Sequence, residues 1–242
     1  MIKTPNWVYT TYVFRSKEKE LILDFQNKLS TWTKEETLSK DAWNGSPYWL
    51  GNILLHVGFG HDNKLSNFTE CRYRGAIDEI GEVEEGYLRG ERFFYFRVIT
   101  ETAWIEMPKM WDLIVKKLYH EKIEFGFIAQ EEGYEFVDRY RPDILELIGI
   151  SIDEKYWADS YIDDYNYENY KWLGDFTGEM TASAVAETFS SILSSKIEKD
   201  AIEDLDQREA LVYRVNEVLS AVDEDAYINI IKIEDVSPAD FN

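Results

Sequence analysis

Between Trp7 and Phe14 the chain is aromatic and β-branched, which predicts a strand. Ser16 then offers a helix N-cap, with Glu18 and Glu20 in the first turn. Leu21, Ile22, Phe25 and Leu29 follow at the spacing of one apolar helical stripe. Trp32 and Trp43 anchor a connection up to Tyr48, and three strands are expected after it. In the first, Ile53, Leu55, Val57 and Phe59 alternate with Asn52, Leu54 and His56. In the second, Cys71, Tyr73 and Ile77 alternate with Arg72, Arg74 and Asp78. A glycine-bounded acidic turn, Gly81 to Gly86, leads into the third. That run, Phe93 to Ile99, is apolar on both faces and predicts a central strand covered from two sides. Pro108 suits a first helical turn, and Trp111, Ile114, Val115 and Leu118 form the stripe behind it. Ile123, Phe125 and Phe127 then share one face of a further strand. The order strand, helix, three strands, helix, strand implies an α+β layer of helices on one face of a sheet, close to the split βαβ arrangement.

After Phe136 the character changes. Arg141-Pro142 breaks the pattern, and the region to Gly178 is rich in Tyr, Trp and Asp. Two amphipathic helices are expected, one marked by Val185, Phe189, Ile192 and Leu193, the other by Leu211, Val215, Val218, Leu219 and Val222. A last strand runs from Tyr227 to Ile233, with Tyr227, Asn229, Ile231 and Ile233 on one side, and the Ser-Pro-Ala-Asp tail is expected to fray. The expected division is an α+β domain over 1–139 and an acidic, aromatic-rich segment with a helical extension over 140–242.

Charge sharpens that division. The 242 residues carry 26 Lys+Arg and 47 Asp+Glu, a net −21, with 45% hydrophobic residues, which implies a soluble globular protein. Residues 1–121 are nearly balanced at −2, whereas 122–242 carry −19. So acidic a surface repels phosphate backbones and anionic lipid, which argues against direct nucleic-acid binding and against membrane docking. No run approaches the roughly 18 apolar residues of a membrane helix, and the N-terminus lacks the apolar centre of a signal peptide. A cytoplasmic setting is the expectation. The lone Cys71 excludes an internal disulfide framework.

Two stretches carry a family resemblance. Pro5-Asn6-Trp7 precedes a strand and an acid-rich helix start; Thr100-Glu101-Thr102-Ala103-Trp104 is followed by Pro108, Trp111 and a strand ending Ala129-Gln130-Glu131-Glu132-Gly133. Together these frame residues 5–137, and this half of the chain resembles the Api92-like family, whose domain also occurs in YubB-type plasmid proteins. The resemblance implies a ferredoxin-like antiparallel sheet with helices on one face and a phage, plasmid or other mobile-element setting. It implies no catalytic residues. Ile105-Glu106-Met107 departs from the Ser-Pro-Pro-like sequence expected after the tryptophan, and there is an apparent extra strand.

Candidate chemistry is sparse. His56 and His61 straddle a Gly-Phe-Gly turn beside Asp62, but their spacing matches no compact metal motif. Gly58 and Gly60 lack the Lys-Ser/Thr of a phosphate loop, and no nucleophile elbow is present. Glu101 and Glu131-Glu132 are the carboxylates most open to pairing for acid–base work, so a carboxylate- or metal-dependent enzyme stands as the alternative reading. The segment 159–168 lacks the alternating acids and central Gly of an EF-hand loop. No cofactor is implied and no catalytic or metal residue is assigned. From Tyr156 to Trp172 seven of 17 residues are Tyr or Trp, interleaved with carboxylates. Such rings give large contact area at low entropic cost, and both rings and carboxylates attract cations. The candidate partner-binding set is therefore Tyr156, Trp157, Asp159, Tyr161, Asp163, Asp164, Tyr165, Tyr167, Glu168, Tyr170 and Trp172. The expected protein is a non-enzymatic acidic interaction protein, and the expected partner is a basic protein surface, such as a groove that normally holds nucleic acid. The oligomeric state is left open.

Overall fold

The computed structural model describes residues 7–35, 47–59, 75–103, 107–131, 136–151, 153, 155–161, 176, 178–221 and 223–237. The chain divides into two compact units, residues 1–149 with 235–242, and residues 150–234. The first unit thus extends past the boundary expected at 139/140 and also takes the C-terminal segment.

Up to the end of that first stretch the elements are β1 (Trp7–Ser16), α1 (Lys19–Trp32), α2 (Leu50–His56), β2 (Gly75–Ile80), β3 (Glu84–Leu88), β4 (Glu91–Ala103), α3 (Pro108–Tyr119), β5 (Glu124–Glu131), β6 (Val137–Tyr140), α4 (Pro142–Leu145) and a 3-10 turn (Glu146–Ile148). The remainder comprises β7 (Tyr156–Tyr161), β8 (Gly178–Met180), α5 (Ala182–Leu193), α6 (Lys199–Glu203), α7 (Leu205–Ser220), β9 (Tyr227–Lys232) and β10 (Glu234–Asp235).

The larger sheet has the order β10–β6–β5–β1–β4–β2, with β3 also paired to β4. β1 lies antiparallel to β4 from Trp7 opposite Ala103 to Ser16 opposite Phe94, and antiparallel to β5 on its other edge. Alternation along β1 buries Val8, Tyr12 and Phe14 on one side of the sheet. There Phe14 meets Phe25 of α1 (5.1 Å between centroids), Trp111 of α3 (5.2 Å) and Phe96 of β4 (5.4 Å), so both long helices cover the same face. The Tyr12 hydroxyl accepts the Met107 backbone N–H at 2.9 Å and so holds the start of α3 on the sheet.

Three local expectations change. The segment read as the first of three strands is helix α2. Its apolar residues fit both periods, but Leu50, Ile53, Leu54 and Val57 recur at helical spacing, and all four are buried in this core. Strand β3 instead starts inside the expected acidic turn, where Glu84, Glu85 and Gly86 pair with Tyr95, Phe94 and Phe93. Ser16 is the last residue of β1 rather than the cap of α1. Its hydroxyl donates to the Lys122 carbonyl at 2.9 Å, accepts the Glu18 N–H, and leaves Glu18 at the cap position. Of the expected second strand, Cys71, Arg72, Tyr73 and Arg74 lie outside the described residues.

Helical cover is not confined to one face. After the Arg141-Pro142 break, α4 and the 3-10 turn pack on the opposite face, against β1, β5 and β3. Gly126 permits that approach, because a Cβ there would stand 2.8 Å from the Arg141 carbonyl oxygen and 2.9 Å from that of Tyr140. Phe93 to Phe96 are accordingly buried on both sides of β4, as expected of a central strand.

An ion-pair net fastens α4. Buried Arg15 lies 3.1 Å from Glu124 and 3.0 Å from Asp143, and Arg141 lies 3.1 Å from each of the same carboxylates. Burial raises the pKa of Glu124 and of Asp143, but hydrogen bonds and charge from Arg141 and Arg15 outweigh it and leave both below the ordinary carboxylate value. Folded-state pKa values below the unfolded ones give stability that is complete above about pH 5 and is lost as pH falls through the folded values. Unfolding free energy measured from pH 6 to pH 2 should therefore fall with acid. The double substitution Glu124→Gln, Asp143→Asn should flatten that slope and lower the plateau.

The second unit is more than a helical extension: it has its own three-stranded antiparallel sheet, order β8–β7–β9, and its own core. Tyr156, Ala158, Val185, Phe189, Val215 and Ile228 are among the residues buried in it, drawn from β7, α5, α7 and β9. Helix α7 buries Leu211, Val215 and Leu219, one residue every fourth position, which leaves Val218 of the expected stripe 43% exposed. On the same helix the Asn216 amide donates to the Ile228 carbonyl (3.0 Å) and accepts the Ile228 N–H (2.7 Å). Those two backbone groups point away from β7, so Asn216 fills what an edge strand would otherwise offer to a further strand. Asn216→Ala should lower the unfolding free energy by about 1–3 kcal/mol in denaturant titrations, the range for a half-buried donor and acceptor left unmade. Among the described residues no helix is long and apolar enough to cross a membrane.

Candidate recognition face

Pairing register decides what the small sheet shows to solvent. Tyr156, Ala158 and Ser160 of β7 stand opposite Lys232, Ile230 and Ile228 of β9, and this set holds the helix-covered side. Trp157, Asp159 and Tyr161 stand opposite Ile231, Asn229 and Tyr227, and side chains on one strand alternate, so these six share the other side. Tyr161 is 49% and Tyr227 42% exposed; Trp157, Asp159, Asn229 and Ile231 are half-buried. Glu179 of β8, opposite Trp157, extends the same surface.

The two tyrosines stack across the strands with centroids 6.1 Å apart and planes 20° from parallel. The Tyr227 hydroxyl donates to Asp159 Oδ2 at 3.0 Å, which ties the carboxylate to the ring beside it. One carboxylate oxygen is thereby fixed in place, while among the described residues Asp159 makes no ion pair. The turn that feeds β9 is Asp223-Glu224-Asp225, so three more acids enter the chain just before Tyr227. Lys155 and Lys232 sit at the opposite end of the sheet, about 17 Å away at the rise of an extended strand. Tyr161, Tyr227 and Asp159 thus gather at one end of the face, and Trp157 and Glu179 lie towards the other. Across residues 150–234 there are 20 acidic and seven basic residues, a net −13.

Of the eleven residues singled out from sequence, Trp157, Asp159 and Tyr161 come together on this face. Tyr156 does not. It is 3% exposed, on the core side, with the Arg208 guanidinium carbon 5.5 Å from its ring centroid. Its position one residue before Trp157 reverses its direction, so it supports the face from behind and is withdrawn from partner contact. Asp163, Asp164, Tyr165, Tyr167, Glu168, Tyr170 and Trp172 lie outside the described residues. Tyr227 and Asn229 were not assigned to the site from sequence, although their alternation with Ile228 and Ile230 placed them on one side of a strand. What the pattern lacked was the partner strand.

The other candidate groups are dispersed. Glu101, opposite Tyr9, accepts from the Tyr9 hydroxyl at 3.2 Å, whereas Glu131, opposite Val8, is buried on the helix-covered side. These two carboxylates thus point to opposite faces of the large sheet, and Glu132 lies outside the described residues. His56 stacks on Trp32 (5.6 Å, 9°) with Nδ1 3.5 Å from Glu35; burial lowers its pKa against the pull of that carboxylate. His61 and Asp62 lie outside the described residues. Among the described residues no three His, Cys, Asp or Glu side chains converge as metal ligands.

Comparison of the chain with family models, with curated proteins and with solved structures gives no match.

Proposed function

We propose that this chain is a non-enzymatic binding protein whose second unit engages a basic protein surface, of the kind that otherwise holds nucleic acid. The single observation that carries the reading is the β7–β9 face, where exposed Tyr161 and Tyr227 stand beside half-buried Asp159 and Trp157 in a unit of net −13. Exposed rings are hot-spot material, and carboxylates among them suit a partner rich in Lys and Arg.

For the first unit we propose a ferredoxin-like fold of four strands to which β3, β6 and β10 are added. The order β5–β1–β4–β2, antiparallel throughout, with α1 and α3 on one face, favours it. Kinship with the Api92-like family, and with it a mobile-element setting, is part of the same proposal and rests on the motifs at 5–7 and 100–111.

Isothermal titration of the full chain into purified basic nucleic-acid-binding domains, at about 0.1 M and about 0.5 M salt, tests the binding reading. Binding at low salt that duplex DNA competes away and that weakens at least tenfold at high salt is expected. No binding at low salt, or binding indifferent to salt and DNA, would overturn it.

A further inference from the structure

The geometry points to arginine, in preference to lysine, as the side chain that the Tyr161–Tyr227–Asp159 end of this face accepts; this rests on the reading of the face as a basic-partner site. Three features favour a planar cation. The two rings are stacked nearly parallel and both residues are exposed, which offers a planar ring surface rather than a closed cage. A guanidinium lies flat on such a ring, whereas an ammonium meets it as a compact, strongly hydrated point charge. Beside that surface stands a carboxylate already oriented. Asp159 accepts the Tyr227 hydroxyl at Oδ2, and both oxygens retain acceptor capacity on the open side. A guanidinium resting on the Tyr227 ring can at the same time direct two N–H groups to that carboxylate, a fork-to-fork contact that an ammonium does not make. The third feature is charge: Asp159 makes no ion pair among the described residues, and the nearest described cations of the sheet, Lys155 and Lys232, are at its far end. Trp157 and Ile231 continue the row along the strand, so an extended basic segment can follow it beyond the first contact.

The test uses the full chain with oligoarginine, oligolysine and oligoglutamine peptides of equal length, read by intrinsic fluorescence and calorimetry at low salt. Oligoarginine should bind about tenfold tighter than oligolysine, and oligoglutamine should not bind. Tyr161→Ala and Asp159→Asn should each erase that preference while leaving residual binding to both cationic peptides. Tyr227→Phe, which keeps the ring but no longer orients the carboxylate, should weaken the preference without erasing it. The fold of each variant is checked by circular dichroism, and Tyr161→Phe serves as the control that preserves the ring. Equal binding of both cationic peptides, unaffected by the variants, would overturn the arginine assignment while leaving an acidic basic-partner protein in place. Binding of neither cationic peptide would remove the assignment together with the reading under it.

Discussion

Phe14→Ala should cost about 3–5 kcal/mol of unfolding free energy, the range for a large aromatic deleted from a packed core. Phe14 is fully buried and touches the rings of Phe25, Phe96, Trp111 and Phe125, which come from α1, β4, α3 and β5. The cavity would open where four elements meet, so no single neighbour can collapse into it without moving a helix off the sheet. The midpoint of urea unfolding, followed by tryptophan fluorescence, should drop accordingly. Phe14→Leu, which retains most of the volume, should cost less than half as much. Equal, small losses for both would mean that the core is not organised around this ring.

The second large effect concerns charge. Arg139 is fully buried and donates from Nε to Asp235 at 2.8 Å, while the Asp235 side chain remains 46% exposed. The Val236 N–H bonds the Arg139 carbonyl at 2.8 Å, so the returning C-terminal segment is joined to β6 through both backbone and side chain. Removing one partner of such a pair is not symmetrical. Asp235→Ala takes from a buried guanidinium the carboxylate that its Nε meets and should cost about 3 kcal/mol, the low end for a broken buried pair because half of Asp235 is hydrated. Arg139→Met removes the buried charge, keeps the length of the side chain, and leaves a carboxylate that water can solvate. It should cost less than Asp235→Ala. Denaturant melts of the two variants and their double compare these directly, and the reverse order would show that the pair stabilises through something other than burial of the arginine.

Much of the first unit could be read from periodicity because its long elements are strongly patterned. Trp7 to Phe14, the stripe Leu21 to Leu29, Phe93 to Ile99, Trp111 to Leu118 and Phe125 to Phe127 all lie in elements of the expected type, with Ile123 one residue ahead of its strand. The failures were short segments where two periods fit the same residues. Leu50 to Val57 satisfies both alternation and helical spacing, and only contact with the large core decides for the helix. Glu84 to Gly86 looked like a turn because its acids are polar on every side, yet an edge strand needs only backbone pairing with β4. Tyr156 was read by composition as part of the binding set, whereas strand alternation sends it to the core. Tyr227 and Asn229 were missed for the opposite reason. Tyr227 follows Tyr161 by 66 residues and Asn229 follows Asp159 by 70, and only β7–β9 pairing sets them opposite each other, which no local pattern reveals.

The claim on which the functional account depends is that the rings of the β7–β9 face meet the partner. Hydroxyl-radical footprinting of the full chain, free and saturated with a purified basic domain, reads this residue by residue. Trp157, Tyr161 and Tyr227 should lose reactivity on binding, while Tyr87 and Tyr213, 68% and 66% exposed on other elements, should keep theirs. Saturated partner with Tyr161 and Tyr227 as reactive as in the free chain would contradict the account.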